Sequence, residues 1–378
     1  LPVSAEMVAT ARRHRVHLIL AETLQSDDLE DEAAVASLRA ERARASLVDA
    51  IRTRMLRDVL DELESAGIPA LLLKGAGVAH TIYSAPHLRP RDDLDVMVPQ
   101  DSVGRAEDLL SASGWRRQAE SGGDLHTAQR HYVRGDPSGV LEQVDLHWKI
   151  ANPHIFRDAV SFDELWAHSI PIPTLGVHAR TLSPADALFL ACLHRVAHHQ
   201  DDLDLLWLWD IHLIVSGLSP EGEDRFVELA ERPASRGMRS VCLRGLELAR
   251  ARYGENKKAG AGGARPERLG VGPQAVSKDV LIALIARLRE SIAELGDPSN
   301  GPVEASSQFI GGRLSQVDLL RTDLFTLPGW RDRLLLVGEH LFPSAAYMRS
   351  RYPRWPRPAL PLAYIHRVFR GAPNWFRH

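Results

Sequence analysis

An α+β fold, a small mixed sheet set in a mostly helical chain, is what three patterns in this 378-residue sequence predict. Apolar residues recur at helical spacing up to residue 66. Short apolar runs broken by aspartates occupy 69–150, and helical spacing returns from about residue 160.

In the first region Leu47, Ile51, Met55, Val59 and Leu63 stand four apart with Arg, Asp and Glu between them, so residues 1–68 form a helical region. Gly67-Ile68-Pro69 ends it, since glycine and proline each stop a helix. Ala70-Leu71-Leu72-Leu73 then reads as a buried strand, and Lys74-Gly75-Ala76-Gly77 as a turn opening a short helix. Leu94 to Val98 is a second strand, closed by Pro99. A helix over 101–113 takes Asp101 or Ser102 as its cap. Two more strands, His131 to Arg134 and Val140 to Trp148, flank the turn-rich Gly135-Asp136-Pro137-Ser138-Gly139. The span 69–150 is thus an α/β core.

Residues 151–378 read as a larger helical region that forms one side of a cleft. Ser183 caps a helix whose first position is Pro184, a residue suited to that place because its missing N–H is not needed there. The Gly-rich, basic stretch 254–275 reads as a flexible loop. The prolines after residue 343 break the end of the chain into short helices.

Composition narrows the function. Hydrophobic residues are 44% and charged residues 25%, an ordinary globular balance. The net charge of −3 supplies no global basic field, so nucleic acid and membrane are not expected partners. No apolar run is long enough to span a bilayer, and the first residues lack the apolar core of a signal peptide, so a cytoplasmic location is expected. Cys192 and Cys242 lie in apolar helical stretches and read as core thiols rather than a redox pair or metal site.

The chemistry concentrates on two strands. Alternate side chains of a strand share a face, so Asp93, Asp95 and Met97 point one way and Leu94, Val96 and Val98 the other. Two carboxylates roughly 7 Å apart on one face repel unless a cation lies between them. Solvated charges at a strand end are the plain alternative. On the other strand Asp145 and His147 share a face opposite Val144, Leu146 and Trp148. If the strands are neighbours, Asp145 completes a carboxylate trio able to hold two divalent ions, Mg²⁺ or Mn²⁺.

Around that trio stand further candidates. Lys74 and Gly75, where a strand meets a helix, suit a phosphate; a tight turn with an exposed lysine is the other reading. Arg89 and Arg91 either clamp phosphates or pair with Asp92 and Asp93. His147 either orients Asp145 or contacts substrate, or is a plain strand-end residue. His194 and His198, four apart on one helix, either pack against the α/β unit or line the acceptor side of a cleft with Asp210. Trp207 and Trp209 read as core residues before a base-stacking platform.

Leu72-Leu73-Lys74-Gly75, the run Arg89-x-x-x-Asp93-Leu94-Asp95-Val96-Met97-Val98, and Val144-Asp145-Leu146-His147-Trp148 together resemble the bacterial "uncharacterised nucleotidyltransferase" family. That family is similar to the aminoglycoside nucleotidyltransferases and the minimal nucleotidyltransferases of toxin–antitoxin systems, within the DNA polymerase β-like superfamily. The resemblance continues through Leu182-Ser183-Pro184, Cys192-Leu193-His194, His198 and Trp207-Leu208-Trp209-Asp210, and extends to Phe342-Pro343 and Tyr364-Ile365-His366-Arg367. It implies a metal-dependent enzyme that moves an NMP from an NTP, expected to be ATP, to a hydroxyl or phosphate of a small molecule or protein. Asp93 and Asp95 would be the paired metal ligands, Asp145 the third carboxylate and general base, and Lys74-Gly75 the phosphate loop. The superfamily loop carries Gly-Ser or Gly-Gly where this chain has Lys74-Gly75-Ala76. A catalytically impaired nucleotide-binding or protein-interaction module is therefore the alternative.

Overall fold

The computed structural model describes residues 3–24, 31–232, 237–254, 278–295, 304–312 and 314–375. It begins with helices α1 (Ala5–Arg13), α2 (His17–Thr23) and α3 (Glu32–Ser65). Asp31 starts α3 by accepting a hydrogen bond from the Ala34 N–H, one of the donors a helix start leaves unpaired. Met55, Val59 and Leu63 are buried and Ile51 packs beside them, but Leu47 is 71% exposed. The buried stripe is shorter than the spacing predicts, because the sheet core is met only by the second half of α3. Gly67 follows with φ +65°, a left-handed turn that glycine adopts without strain.

Among the described residues seven strands form one mixed sheet: β1 (Leu71–Leu72), β2 (Leu94–Met97), β3 (Arg116–Arg117), β4 (Gln129–Gly135), β5 (Leu141–His147), β6 (Ile170–Pro171) and β7 (Arg180–Thr181). Their order is β3-β4-β5-β2-β1-β7-β6. β2 runs antiparallel to β1 and parallel to β5, and β5 runs antiparallel to β4. The four predicted strands are present. The three missed ones have two residues each, too few to show a period.

Strand alternation sorts the side chains as predicted. Leu94, Val96, Val98, Val144 and Leu146 join α3 and α5 (Val103–Ala112, after α4, Gly75–Thr81) in one core. Met97, from the opposite face of β2, joins a second core. That second core is built by the helices that follow: α6 (His154–Arg157), α7 (Phe162–His168), α8 (Pro184–Ala197), α9 (Leu205–Ser216), α10 (Pro220–Glu231), α11 (Arg239–Ala249) and α12 (Lys278–Glu294). Around it lie α13 (Gln316–Thr326), α14 (Trp330–Leu341), α15 (Ala345–Arg351) and α16 (Leu360–Trp375).

Ser183 caps α8 with Pro184 at its first position, as predicted. The cap predicted for α5 is not made: Ser102 bonds the Asp101 carboxylate instead, and neither side chain reaches the helix. Cys192 and Cys242 are fully buried free thiols. Past Gly254, the stretch predicted as a loop lies outside the described residues.

Candidate active site

Parallel pairing of β2 with β5 sets Asp95 directly beside Asp145 and Met97 beside His147. Adjacent strands are about 4.8 Å apart, so two carboxylates are held abreast with little water between them. Asp95 and Asp145 are only 6% and 4% exposed. Such a pair stands only if other groups carry the opposing charge.

For Asp95 the charge comes from Lys74, and His147 adds a hydrogen bond. Lys74 Nζ is 3.2 Å and His147 Nε2 2.9 Å from the same oxygen, Oδ1. Burial works against the charged form, yet Lys74 and the His147 hydrogen bond outweigh it and hold Asp95 well below the usual carboxylate range. Asp145 is held by His131 Nδ1 at 2.7 Å and by Gln143 Nε2, which donates at 2.8 Å; Gln129 Nε2 donates at 3.3 Å to the other oxygen. The Asp145 hydrogen bond in turn raises the His131 pKa.

Asp93 differs from both. Its carboxylate has no hydrogen-bond or ion-pair partner among the described residues. Burial, with the charges of Asp95 and Asp145 behind it, pushes its pKa up to about 7. Ligand atoms of Asp95, Asp145 and His147 all lie within 4.8 Å of one another. That group is two carboxylates and an imidazole and leaves out the predicted Asp93. Yet two abreast carboxylates with an unpartnered acid near them suit a hard divalent cation, which relieves their repulsion.

The remaining predicted residues divide. His147 bonds Asp95, not Asp145 as its shared strand face implied; parallel register brings its ring diagonally across to β2. Arg89 and Arg91 pair with neither Asp92 nor Asp93. Arg89 forks onto Asp210, with Nε at 3.0 Å and Nη2 at 2.7 Å, and Tyr83 Oη donates to the same carboxylate at 2.7 Å. Arg91 Nη2 lies 2.6 Å from Asp49 on α3. Both arginines are buried, so each takes the nearest acid that packing offers. A Cβ at Gly75 would come within 3.2 Å of Arg89 Nη1, so this turn has little spare room.

Beside Lys74 a narrow pocket opens toward α8 and α9, lined among others by Leu73, Arg89, His194, Trp207 and Asp210. His194 and His198 face each other with ring centroids 5.1 Å apart, and His199 Nε2 is 2.9 Å from His194 Nε2. Burial, with Lys74 nearby, holds His194 and His198 well below the usual imidazole range, so both are neutral. Trp207 is half-buried and takes Arg15 over its ring at 5.0 Å; Trp209 stacks on His212 instead. Neither belongs to a buried core cluster, in contrast to the prediction.

Four supporting residues escaped the sequence reading: His131, Gln129, Gln143 and Tyr83. His131 was within reach of it, because counting outward from the Gly135–Leu141 pair at the turn brings residue 131 opposite Asp145. Tyr83 had no such signal.

A family model described as "Uncharacterised nucleotidyltransferase" matches residues 4–254. No curated protein matches the chain. Among solved structures, similarity is found to the antibiotic-resistance factor ANT(2'')-Ia in solution (15% identity, 49% of this chain, 94% of that chain, TM-score 0.34). It is found also to ANT(2'')-Ia crystallised with adenylyl-2''-tobramycin (16%, 48%, 98%, TM-score 0.34). An antigenic nucleotidyltransferase-like protein from Paracoccidioides brasiliensis is similar too (16%, 48%, 87%, TM-score 0.31).

Proposed function

The chain belongs to the uncharacterised nucleotidyltransferase family, and from that premise we propose that it transfers an NMP from an NTP to an acceptor hydroxyl or phosphate, with a divalent cation. The observation that carries this reading is the abreast placement of Asp95 and Asp145 with Asp93 unpartnered beside them. Asp93, Asp95 and Asp145 are the residues that would hold Mg²⁺ or Mn²⁺. When bound, the cation supplies Lewis-acid stabilisation of the charge on the triphosphate.

The chain's own groups divide the remaining work. Asp145, oriented by His131 and Gln143, is placed to take the acceptor proton. Lys74 neutralises Asp95 and is the cation of the phosphate turn, with Gly75 next to it. The pocket running from Lys74 to His194, Trp207 and Asp210 is the acceptor side. Neutral His194 can donate or accept a hydrogen bond there without adding charge. The acceptor is a small molecule or a protein, and ATP is the expected donor.

The test is transfer from α-labelled ATP with Mg²⁺ or Mn²⁺, read as labelled acceptor and released pyrophosphate. Asp93→Asn and Asp95→Asn should each lower turnover about a hundredfold or more, since each removes charge from the cation site. Wild-type turnover in either variant refutes the assignment. A labelled band in a lysate would identify a protein acceptor. One observation favours a second reading, a nucleotide binder without turnover. Arg89 and Arg91 are engaged in buried ion pairs, which leaves Lys74 as the charged member of the expected phosphate contacts. Calorimetric binding of ATP with Mg²⁺, without pyrophosphate release, selects that reading.

A further inference from the structure

The net charge of −3 is unevenly distributed. After residue 339 the chain has seven arginines and no Asp, Glu or Lys, so residues 340–378 carry +7 and the rest of the chain −10. The same 39 residues hold eight of the 23 aromatic Phe, Trp and Tyr side chains. A basic segment rich in aromatics does not follow from the chemistry of the candidate active site.

The structure shows how this segment is presented. α16 docks through one face only: Ala363 is fully buried, Tyr364 Oη donates to the Pro343 carbonyl at 2.7 Å, and Arg367 Nη1 donates to the His340 carbonyl at 2.8 Å. The opposite face, where a helix of a water-soluble protein normally carries polar residues, is apolar. Leu362, Ile365 and Phe369 lie on it at 59%, 54% and 77% exposure, spaced three and four apart. Phe342, at the end of α14, is 68% exposed and its ring centroid lies 6.2 Å from that of Tyr364. The apolar stripe is thus not an isolated side chain.

Arginines accompany the stripe. Arg349, Arg351, Arg354 and Arg370 are exposed, and none has an ion-pair partner among the described residues. These unpaired guanidinium groups lie on α15, on the stretch after it that packs Tyr352 and Trp355 against His366, and on α16 itself. Together with an outward-facing Leu, Ile and Phe stripe they match the two halves of a lipid surface: anionic headgroups and acyl chains. No helix of the described residues is long and apolar enough to cross a membrane, so any such contact is made by a helix lying on the surface.

We propose that the C-terminal segment, through α16, binds the surface of an anionic lipid membrane and holds the protein there peripherally. Charge draws the segment in, and burial of Leu362, Ile365 and Phe369 retains it. Nucleic acid would use the arginines but gain little from the aliphatic stripe. A protein partner or second copy would need no anionic lipid.

Flotation of the full chain with vesicles tests this. Binding is expected to vesicles of mixed phosphatidylcholine and phosphatidylglycerol, weakening as salt rises, with little to pure phosphatidylcholine. A Leu362→Ser, Ile365→Ser, Phe369→Ser triple variant should bind at least tenfold more weakly. Each arginine replaced among Arg349, Arg351 and Arg370 should cost about fivefold. Unchanged thermal unfolding of the variants shows that the fold is intact. Absence of binding to anionic vesicles, or a triple variant that binds like the wild type, overturns the proposal. So does dimerisation, or binding of single- or double-stranded DNA, that the triple variant abolishes while vesicle binding persists.

Discussion

Asp210 is the residue on which two halves of the chain meet. It sits on α9, yet its partners Tyr83 and Arg89 lie between β1 and β2, 127 and 121 residues away in the sequence. Burial opposes the Arg89 charge, and the Asp210 carboxylate more than offsets that, so the guanidinium stays above its ordinary pKa. Removing only one partner leaves the other buried and unpaired. Asp210→Ala is expected to destabilise the protein by about 3–5 kcal/mol, whereas Arg89→Met with Asp210→Leu together should cost less. Denaturant midpoints of the three proteins check the order; a double variant as unstable as Asp210→Ala would show that the charge itself is not the issue. At this scale the candidate acids Asp93, Asp95 and Asp145 were legible from strand alternation. The partners of Asp95 were not, because nothing local to Lys74 or His147 names an acid on another strand.

Helix α4 shows how closely elements are fitted around Lys74. A Cβ on Gly77 would lie 2.2 Å from Thr181 Oγ1 and 3.2 Å from the Leu72 carbonyl oxygen. Thr181 Oγ1 itself donates to that carbonyl at 2.7 Å, tying β7 to β1 beneath the helix. Gly77→Ala must therefore push α4 off the sheet, and is expected to cost about 1–3 kcal/mol. The turn at Lys74 should move with the helix and turnover should fall as well. An unchanged unfolding midpoint would mean that this contact yields freely. A turn and short helix are legible in the sequence here, but not β7, whose pairing with β1 demands this close approach, nor β6 beyond it. Two-residue strands leave no periodic trace; hydrogen bonding to a distant neighbour defines them.

Over the whole molecule, the neutral histidines predict how stability responds to acid. Burial holds His80, His126 and His212 at about 4, each below the ordinary value near 6.5. The unfolded chain binds those protons first, so stability is full above pH 6.5 and falls as pH drops from 6.5 to 4, by up to about 1.4 kcal/mol per pH unit for each histidine. Asp93 and Asp323, pushed up to about 7 and about 6 by burial, work in the opposite direction, but the lowered histidines, His199 at about 4 among them, outnumber them. The urea midpoint should be clearly lower at pH 5 than at pH 7.5, and His212→Phe should reduce the difference. Equal midpoints at the two pH values would contradict the balance of these groups. His126 also rests against His340 of α14 with ring centroids 4.3 Å apart, and Glu339 accepts from the His126 N–H at 2.8 Å. Acid is thus expected to loosen the contact between the C-terminal helices and the loop beside β4.

The order of residues by itself determined what short-range physics controls. Alternation placed Leu94, Val96 and Val98 opposite Asp93 and Asp95, Ser183-Pro184 started α8, and Gly67 ended α3. Each follows from backbone geometry and the burial of apolar surface within a few residues. Tertiary structure alone decided that β2 lies beside β5 in the register that faces Asp95 with Asp145, and that Lys74 and His147 share one oxygen of Asp95. It alone decided that Arg89 turns away to Asp210 and that α16 presents its apolar face outward. A buried charge takes its partner from whatever packing brings within hydrogen-bond reach, and that choice depends on the whole chain closing around it rather than on its neighbours in sequence.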